Sequence, residues 1–268
     1  MSALAYGISD FLGGIFAKRS SAWQVAVVGQ TSSGFFTLLA ALFAGGSPVG
    51  SDWMYGALAG LGGGFGTAFL YRGLSSARMG VVAPLSAIGT ALLPVTVGLA
   101  QGDRPSGLAV LGIVCAFPAI ALISRVVDDN PAHRGGVIDG VLAGIGFGTL
   151  FVFLGQVGQD AGLFPLALAQ AFSVLGVILT ATVIRQAWWP RERTAWRAVV
   201  MGPLGAIATG AFFYATHDGL LSVVSVISSL YPASTVLLAA VVLREKIHGW
   251  QGVGLVFAAL AVALVAAS

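Results

Sequence analysis

Asp10 sits among the apolar residues of Ser2–Ala17, and Tyr6, Asp10, Gly13 and Ala17 follow one another at intervals of three or four. That spacing places all four on one face of a helix. A carboxylate in so apolar a setting is costly unless something answers its charge. The chemistry it offers is the binding of a proton or of a substrate amine. A plainer reading makes it an acid near the end of its helix, and both readings stand at this point.

Further along, Tyr71-Arg72 closes another apolar run. Arg72 either reaches out to polar surroundings along its aliphatic stem or binds an anion at the mouth of a cavity. Tyr214 and the following His217-Asp218 close a later run, and a histidine there can titrate near neutral pH; a solvated loop histidine is the simpler alternative. Gln30, Gln156 and Gln170 are polar groups within apolar runs and read as hydrogen-bonding glue between helices; for Gln156 a cavity within reach is the alternative. Tyr231 either lines a path or packs.

The elements that position these groups follow from composition. Of 268 residues, 57% are hydrophobic and 9% charged, and mean hydropathy is +0.93. So few charges cannot cover a water-exposed surface, so a lipid bilayer is the expected solvent. Only helices or closed barrels satisfy every backbone group there. The apolar runs do not alternate as barrel strands do, which leaves an all-α integral membrane protein. Charge-free windows predict ten transmembrane helices: Ser2–Ala17, Trp23–Ala44, Trp53–Tyr71, Gly80–Ala100, Ser106–Ser124, Ile138–Val157, Leu163–Ile184, Ala198–Thr216, Leu220–Leu243 and Gly249–Ala267. The first is short for a crossing of about 20 residues, and a start upstream would add the missing turns. It does not read as a signal peptide: it has no basic n-region, and Asp10 falls where the apolar core should be.

Twelve of the thirteen Lys and Arg residues fall in the joints after the odd-numbered windows, with Arg104 the exception. The positive-inside rule places those joints in the cytoplasm and both termini outside. Gly60–Gly64, Gly62–Gly66, Gly140–Gly144 and Gly144–Gly148 are four apart and predict close helix contacts in the third and sixth windows. Pro84, Pro94, Pro118, Pro203 and Pro232 fall inside windows, where each removes a backbone bond and can bend its helix.

The halves of the chain resemble each other. Tyr71 matches Tyr214 at an offset of 143, and Asp103-Arg104, Gly107 and Gly112 match Glu245-Lys246, Gly249 and Gly254 at 142. Five spans per half turn the second copy upside down, an arrangement that secondary transporters use to place a site between two halves. The acid–base pairs read as helix boundaries rather than ligands.

The residues Tyr231-Pro232, Glu245, Gly249, Gln251, Gly252 and Gly254, with the opening Tyr6-Gly7-Ile8-Ser9-Asp10-Phe11-Leu12-Gly13-Gly14, resemble the EamA repeat of the drug/metabolite transporter superfamily. The likeness covers nearly the whole chain as two inverted five-helix repeats, 1–127 and 137–268. Asp103 stands where the family usually has Glu, and Pro84 and Pro94 do not align with Pro232. The resemblance also implies cytoplasmic termini, against the charge bias. It implies a multi-pass transporter of the cell membrane, moving a small metabolite, amino acid or drug-like solute, often outward, by alternating access. Its cavity would be lined by spans 1, 3, 4, 6, 8 and 9, with the fifth and tenth to the side. The residues weighed above supply Asp10, Tyr6, Tyr71, Arg72, Gln156, Tyr214 and His217 as the candidate pathway residues.

Competing classes fare less well. A rhomboid-type serine peptidase needs Gly-x-Ser-Gly and a mid-span His, and a membrane metalloprotease needs His-Glu-x-x-His; the sequence has neither motif, and none of its histidines is mid-span. One cysteine, Cys115, permits no internal disulfide and no Cys/His metal set. No cofactor, metal or nucleic-acid partner is expected, and no nucleotide loop is present to power pumping. A small-molecule substrate is expected, and a proton at Asp10 is the coupling ion proposed from sequence. A non-transporting scaffold stays open as the alternative.

Overall fold

A computed structural model of the chain describes residues 1–76, 79–123, 135–242 and 248–267. Arg78, Arg125, Arg134, Arg244 and the Glu245–Lys246 pair lie outside the described residues. Those described form an all-helical protein with no strand among them. The helices are α1 (Ser2–Ala17), α2 (Ala22–Ala44), α3 (Gly50–Ser76), α4 (Met79–Gln101), α5 (Gly107–Ile123), α6 (Gly135–Leu154), α7 (Phe164–Val183), α8 (Arg193–Trp196), α9 (Gly202–Asp218), α10 (Leu221–Ser228), α11 (Tyr231–Val242) and α12 (Gly249–Ala266).

Among the described residues, six stretches are long and apolar enough to cross a membrane: α2, α6 from Gly136, α7, Arg193–Asp218, Leu221–Val242 and α12. Ser2–Ala17, Leu85–Gln101 and Gly107–Ile123 are apolar but shorter. At 27 residues α3 spans about 40 Å, but with Asp52 and Arg72 it is less apolar. The outer faces suit lipid. Phe43 on α2 is 85% exposed and Val256 on α12 is 67% exposed, and such side chains gain nothing from water.

Two windows differ from the sequence expectation, both at proline. The window Leu220–Leu243 is not one helix but two, α10 and α11, parted at Ser229-Leu230. Pro232 is the second residue of α11, where its missing N–H costs nothing; further into a continuous helix it would have lost a bond and met a carbonyl. Pro203 likewise is the second residue of α9 rather than a mid-span kink, after a 3-10 turn over Arg197–Met201. Pro94 and Pro118 remain inside α4 and α5.

Packing begins at α3, which lies against α6 on one side and α7 on another. The glycines make both contacts possible. A Cβ at Gly62 would sit 2.8 Å from the Gly146 carbonyl oxygen, and one at Gly64 would overlap the backbone of Ser173. Glycine therefore lets the backbones themselves touch, as the four-residue spacing predicted. α6 also packs along α4, where Gly144 and Gly89 meet. α1 packs chiefly on α9 and α11; α2 on α7 and α9; α10 on α4; and α5 pairs with α12 at the periphery.

Candidate functional site

α1 reaches the centre of the bundle because its glycines admit its neighbours. A Cβ at Gly7 would come within 2.6 Å of the Tyr231 carbonyl oxygen, and one at Gly13 would meet the Tyr71 ring. With α11 on one side and α3 on the other, Asp10 opens into a cavity between them.

That cavity offers about 70 Å³ to the centres of water-sized molecules, room for several waters or a small solute. Its polar wall comes from α1 (Tyr6, Ser9, Asp10), α2 (Gln30, Ser33), α3 (Thr67, Tyr71) and α7 (Gln170, Ser173), with Thr90, Thr209 and Tyr231 added from α4, α9 and α11. The apolar wall is α6, with Phe147, Leu150, Phe151 and Leu154. α5 and α12 contribute nothing to it. The expectation of six lining spans is thus corrected: α2 and α7 line the cavity too, because their close contact with each other and with α3 brings their small and polar faces inward.

Some of these groups are already satisfied. Gln30 Nε2 donates to Thr67 Oγ1 at 2.7 Å, and the Tyr231 hydroxyl donates to Ser86 Oγ at 2.9 Å. Others are not. Among the described residues, the Tyr6 hydroxyl, Ser33 Oγ and Ser173 Oγ are buried without a partner, and the Asp10 carboxylate has no hydrogen bond or ion pair. Tyr6, Tyr71 and Tyr231 all stand within electrostatic reach of Asp10. Unpaired polar groups in a membrane interior are expensive and face cavities that use them.

Of the sequence candidates, Tyr6, Asp10 and Tyr71 line this cavity; Arg72, Gln156, Tyr214 and His217 do not. Arg72 is one residue past Tyr71, turned about 100° around the helix. Its guanidinium pairs with Asp139 of α6 and lies 4.5 Å over the Phe69 ring. Tyr214 is half exposed; it follows Thr209 by five residues, which carries it to the other side of α9. Gln156 lies just beyond α6, where its Nε2 donates to Gln101 Oε1 at 3.0 Å. His217 bridges two backbone carbonyls, with Nδ1 2.7 Å from Phe213 O and Nε2 3.1 Å from Val157 O.

These last contacts belong to a polar closure at one end of the bundle. Asp52 accepts from Val49 N and Gly158 N, each at 2.8 Å. Asp103 accepts from Ser222 N at 2.9 Å, holding the start of α10. Ser47 N donates to Asp160 O at 2.7 Å. At the other end Gln24 Oε1 accepts from Arg191 N at 3.1 Å and Glu192 N at 3.3 Å, tying the joint after α7 to α2.

Sequence reading missed most of the polar wall, although a signal existed. Gln30-x-x-Ser33 on α2 and Gln170-x-x-Ser173 on α7 repeat at an offset of 140, and Gly63 with Thr67 on α3 recurs as Gly205 with Thr209 on α9 at 142. All eight line the cavity. The acid breaks this pattern. At an offset of 141 the positions of Tyr6, Ser9 and Asp10 carry Phe147, Leu150 and Phe151.

The family model for the EamA-like transporter family matches residues 134–267. A solved structure described as a crystal structure of a protein is similar over 99% of this chain and 98% of that one, with a TM-score of 0.70 and 16% identity. At that identity the likeness concerns the fold. No curated protein matches the chain.

Proposed function

The chain belongs to the EamA-like transporter family, a multi-pass protein of the cell membrane, and on that premise we propose that it carries a small metabolite or drug-like solute by alternating access between two inverted five-helix units, 1–127 and 137–268, in the direction of export. Members of the family are transporters, not enzymes. The bilayer is the solvent, and the solute and a proton are the proposed ligands.

The observation that carries this reading is the uncompensated Asp10 carboxylate in a cavity walled by both halves of the chain. The packing supports the two-unit plan. If α8 and α9 are counted as one span and α10 and α11 as another, exchanging the halves turns each major contact into another that is present. The contact of α3 with α6 becomes α9 with α1, α3 with α7 becomes α9 with α2, and α4 with α6 becomes α11 with α1; the pairs α2–α7, α4–α10 and α5–α12 map onto themselves. Such exchange is the property of a two-fold relation between repeats.

Purified protein in sealed vesicles should move solute down an imposed proton gradient, and Asp10→Asn should abolish the pH dependence while leaving the protein folded. Unchanged pH-driven flux in that variant removes Asp10 as the coupling group. A scaffold would give no flux of any solute, and would leave the three unpaired hydroxyls and the acid without a use.

A further inference from the structure

The cavity is built on matched positions from the two halves, yet its two ends differ in kind. On α1 stand Tyr6, Ser9 and Asp10; facing them on α6, at the corresponding positions, stand Phe147, Leu150 and Phe151. The rings of Tyr6 and Phe151 are 5.9 Å apart, and Phe151 stacks on Phe212 at 4.0 Å. The polar end holds one carboxylate near three phenols. Its lining includes no Lys, Arg or His among the described residues, and Arg72, next in sequence to a lining tyrosine, is engaged by Asp139.

Charge decides what such a cavity accepts. An ammonium group next to Asp10 relieves a buried, unpaired carboxylate, and tyrosine faces add cation–π attraction. The Tyr6 hydroxyl, unpaired among the described residues and one helical turn from Asp10, offers a lone pair to its N–H groups. A carboxylate on the same solute would find no cation and would lie beside Asp10, and burying an unpaired charge is prohibitive. Resting on the carrier reading above, we infer that the site selects a small amine with an apolar tail and no carboxyl group, its ammonium at Asp10 and its tail against Phe147, Leu150 and Phe151. Amino acids are thereby excluded.

The test is binding to the purified full chain, measured by calorimetry in two matched series. One is isobutylamine, valine and 3-methylbutanoate; the other is phenethylamine, phenylalanine and 3-phenylpropanoate. The amine of at least one series should bind roughly tenfold or more tightly than its amino acid and its carboxylate. This comparison uses unaltered protein, so it does not depend on any variant folding. In the same assay Asp10→Asn should weaken the amine roughly tenfold and Asp10→Glu should retain it, while Phe151→Ala should weaken phenethylamine more than isobutylamine. The inference is overturned if neither amine binds, if an amino acid or carboxylate binds as well as its amine, or if a folded Asp10→Asn protein binds the amine unchanged. Vesicle flux separates the two readings. Amine binding without flux upholds the site and sinks the carrier. Flux of another solute without amine binding upholds the carrier and sinks this inference.

Discussion

The Tyr71 ring occupies the space in which a side chain on Gly13 would begin: a Cβ there would come 2.7 Å from the ring Cε1. The glycine of α1 and the tyrosine of α3 are thus one fitted contact, three residues along from Asp10. Gly13→Ala should force the ring aside and cost about 1–3 kcal/mol by overpacking. Thermal melts of the double variant Gly13→Ala/Tyr71→Leu should show less loss than the sum of the single variants. Strict additivity would mean that the two residues do not share the space.

Asp103 holds the backbone N–H of Ser222 and so fixes where the broken ninth span begins. Asp103→Ala should lower stability by about 1 kcal/mol, as loss of a helix cap does, while Asp103→Asn keeps the acceptor and most of the stability. Melting of the two variants side by side checks this; equal losses would place the effect in the charge instead.

The pair Arg72–Asp139 joins the end of α3 to the start of α6. Asp139 is 4% exposed whereas the Arg72 side chain is 35% exposed, so the two removals are unequal. Arg72→Gln leaves a carboxylate buried without its cation and should cost up to about 3 kcal/mol. Asp139→Asn leaves an arginine that can turn toward water and should cost less. A reversed order in unfolding measurements would overturn this.

Gly64 and Gly210 should respond in opposite ways. A Cβ at Gly64 would overlap the α7 backbone, while one at Gly210 meets nothing within 4 Å. Gly64→Val should abolish the folded protein in size-exclusion profiles. Gly210→Ala should change stability by no more than about 0.5 kcal/mol.

Much of this was legible because charge and hydropathy report helix ends in lipid. Each long helix among the described residues falls within a window or overlaps one, and the glycine spacing marked α3 and α6 as close-packing helices. The break before Tyr231 was not legible, because a window of hydropathy averages over Pro232 and does not register a missing N–H. Asp10 stood out as an acid where acids are costly. Gln30, Ser33, Gln170 and Ser173 did not: helical spacing tells that such residues share a face, but not whether that face meets another helix or a void. Tyr214 misled for a finer reason. It matches Tyr71 at 143 while Thr209 matches Thr67 at 142. That single residue is a rotation of about 100° on a helix, enough to send the second tyrosine to the outer face of α9.

The way α1 and α6 are lodged has a mechanical consequence. Each opening helix sits mainly among the later helices of the other half, α1 with α9 and α11, α6 with α3 and α4. If the protein works as the proposed two-unit carrier, the bodies that tilt against each other are therefore interleaved along the polypeptide instead of consecutive. A severance between α5 and α6 would yield two fragments, each missing a helix that its own fold embraces. In the proposed carrier the links that would bend are those leaving α1 and α6, so Asp10, the one acid of the cavity among the described residues, would travel with the half to which it does not belong by sequence.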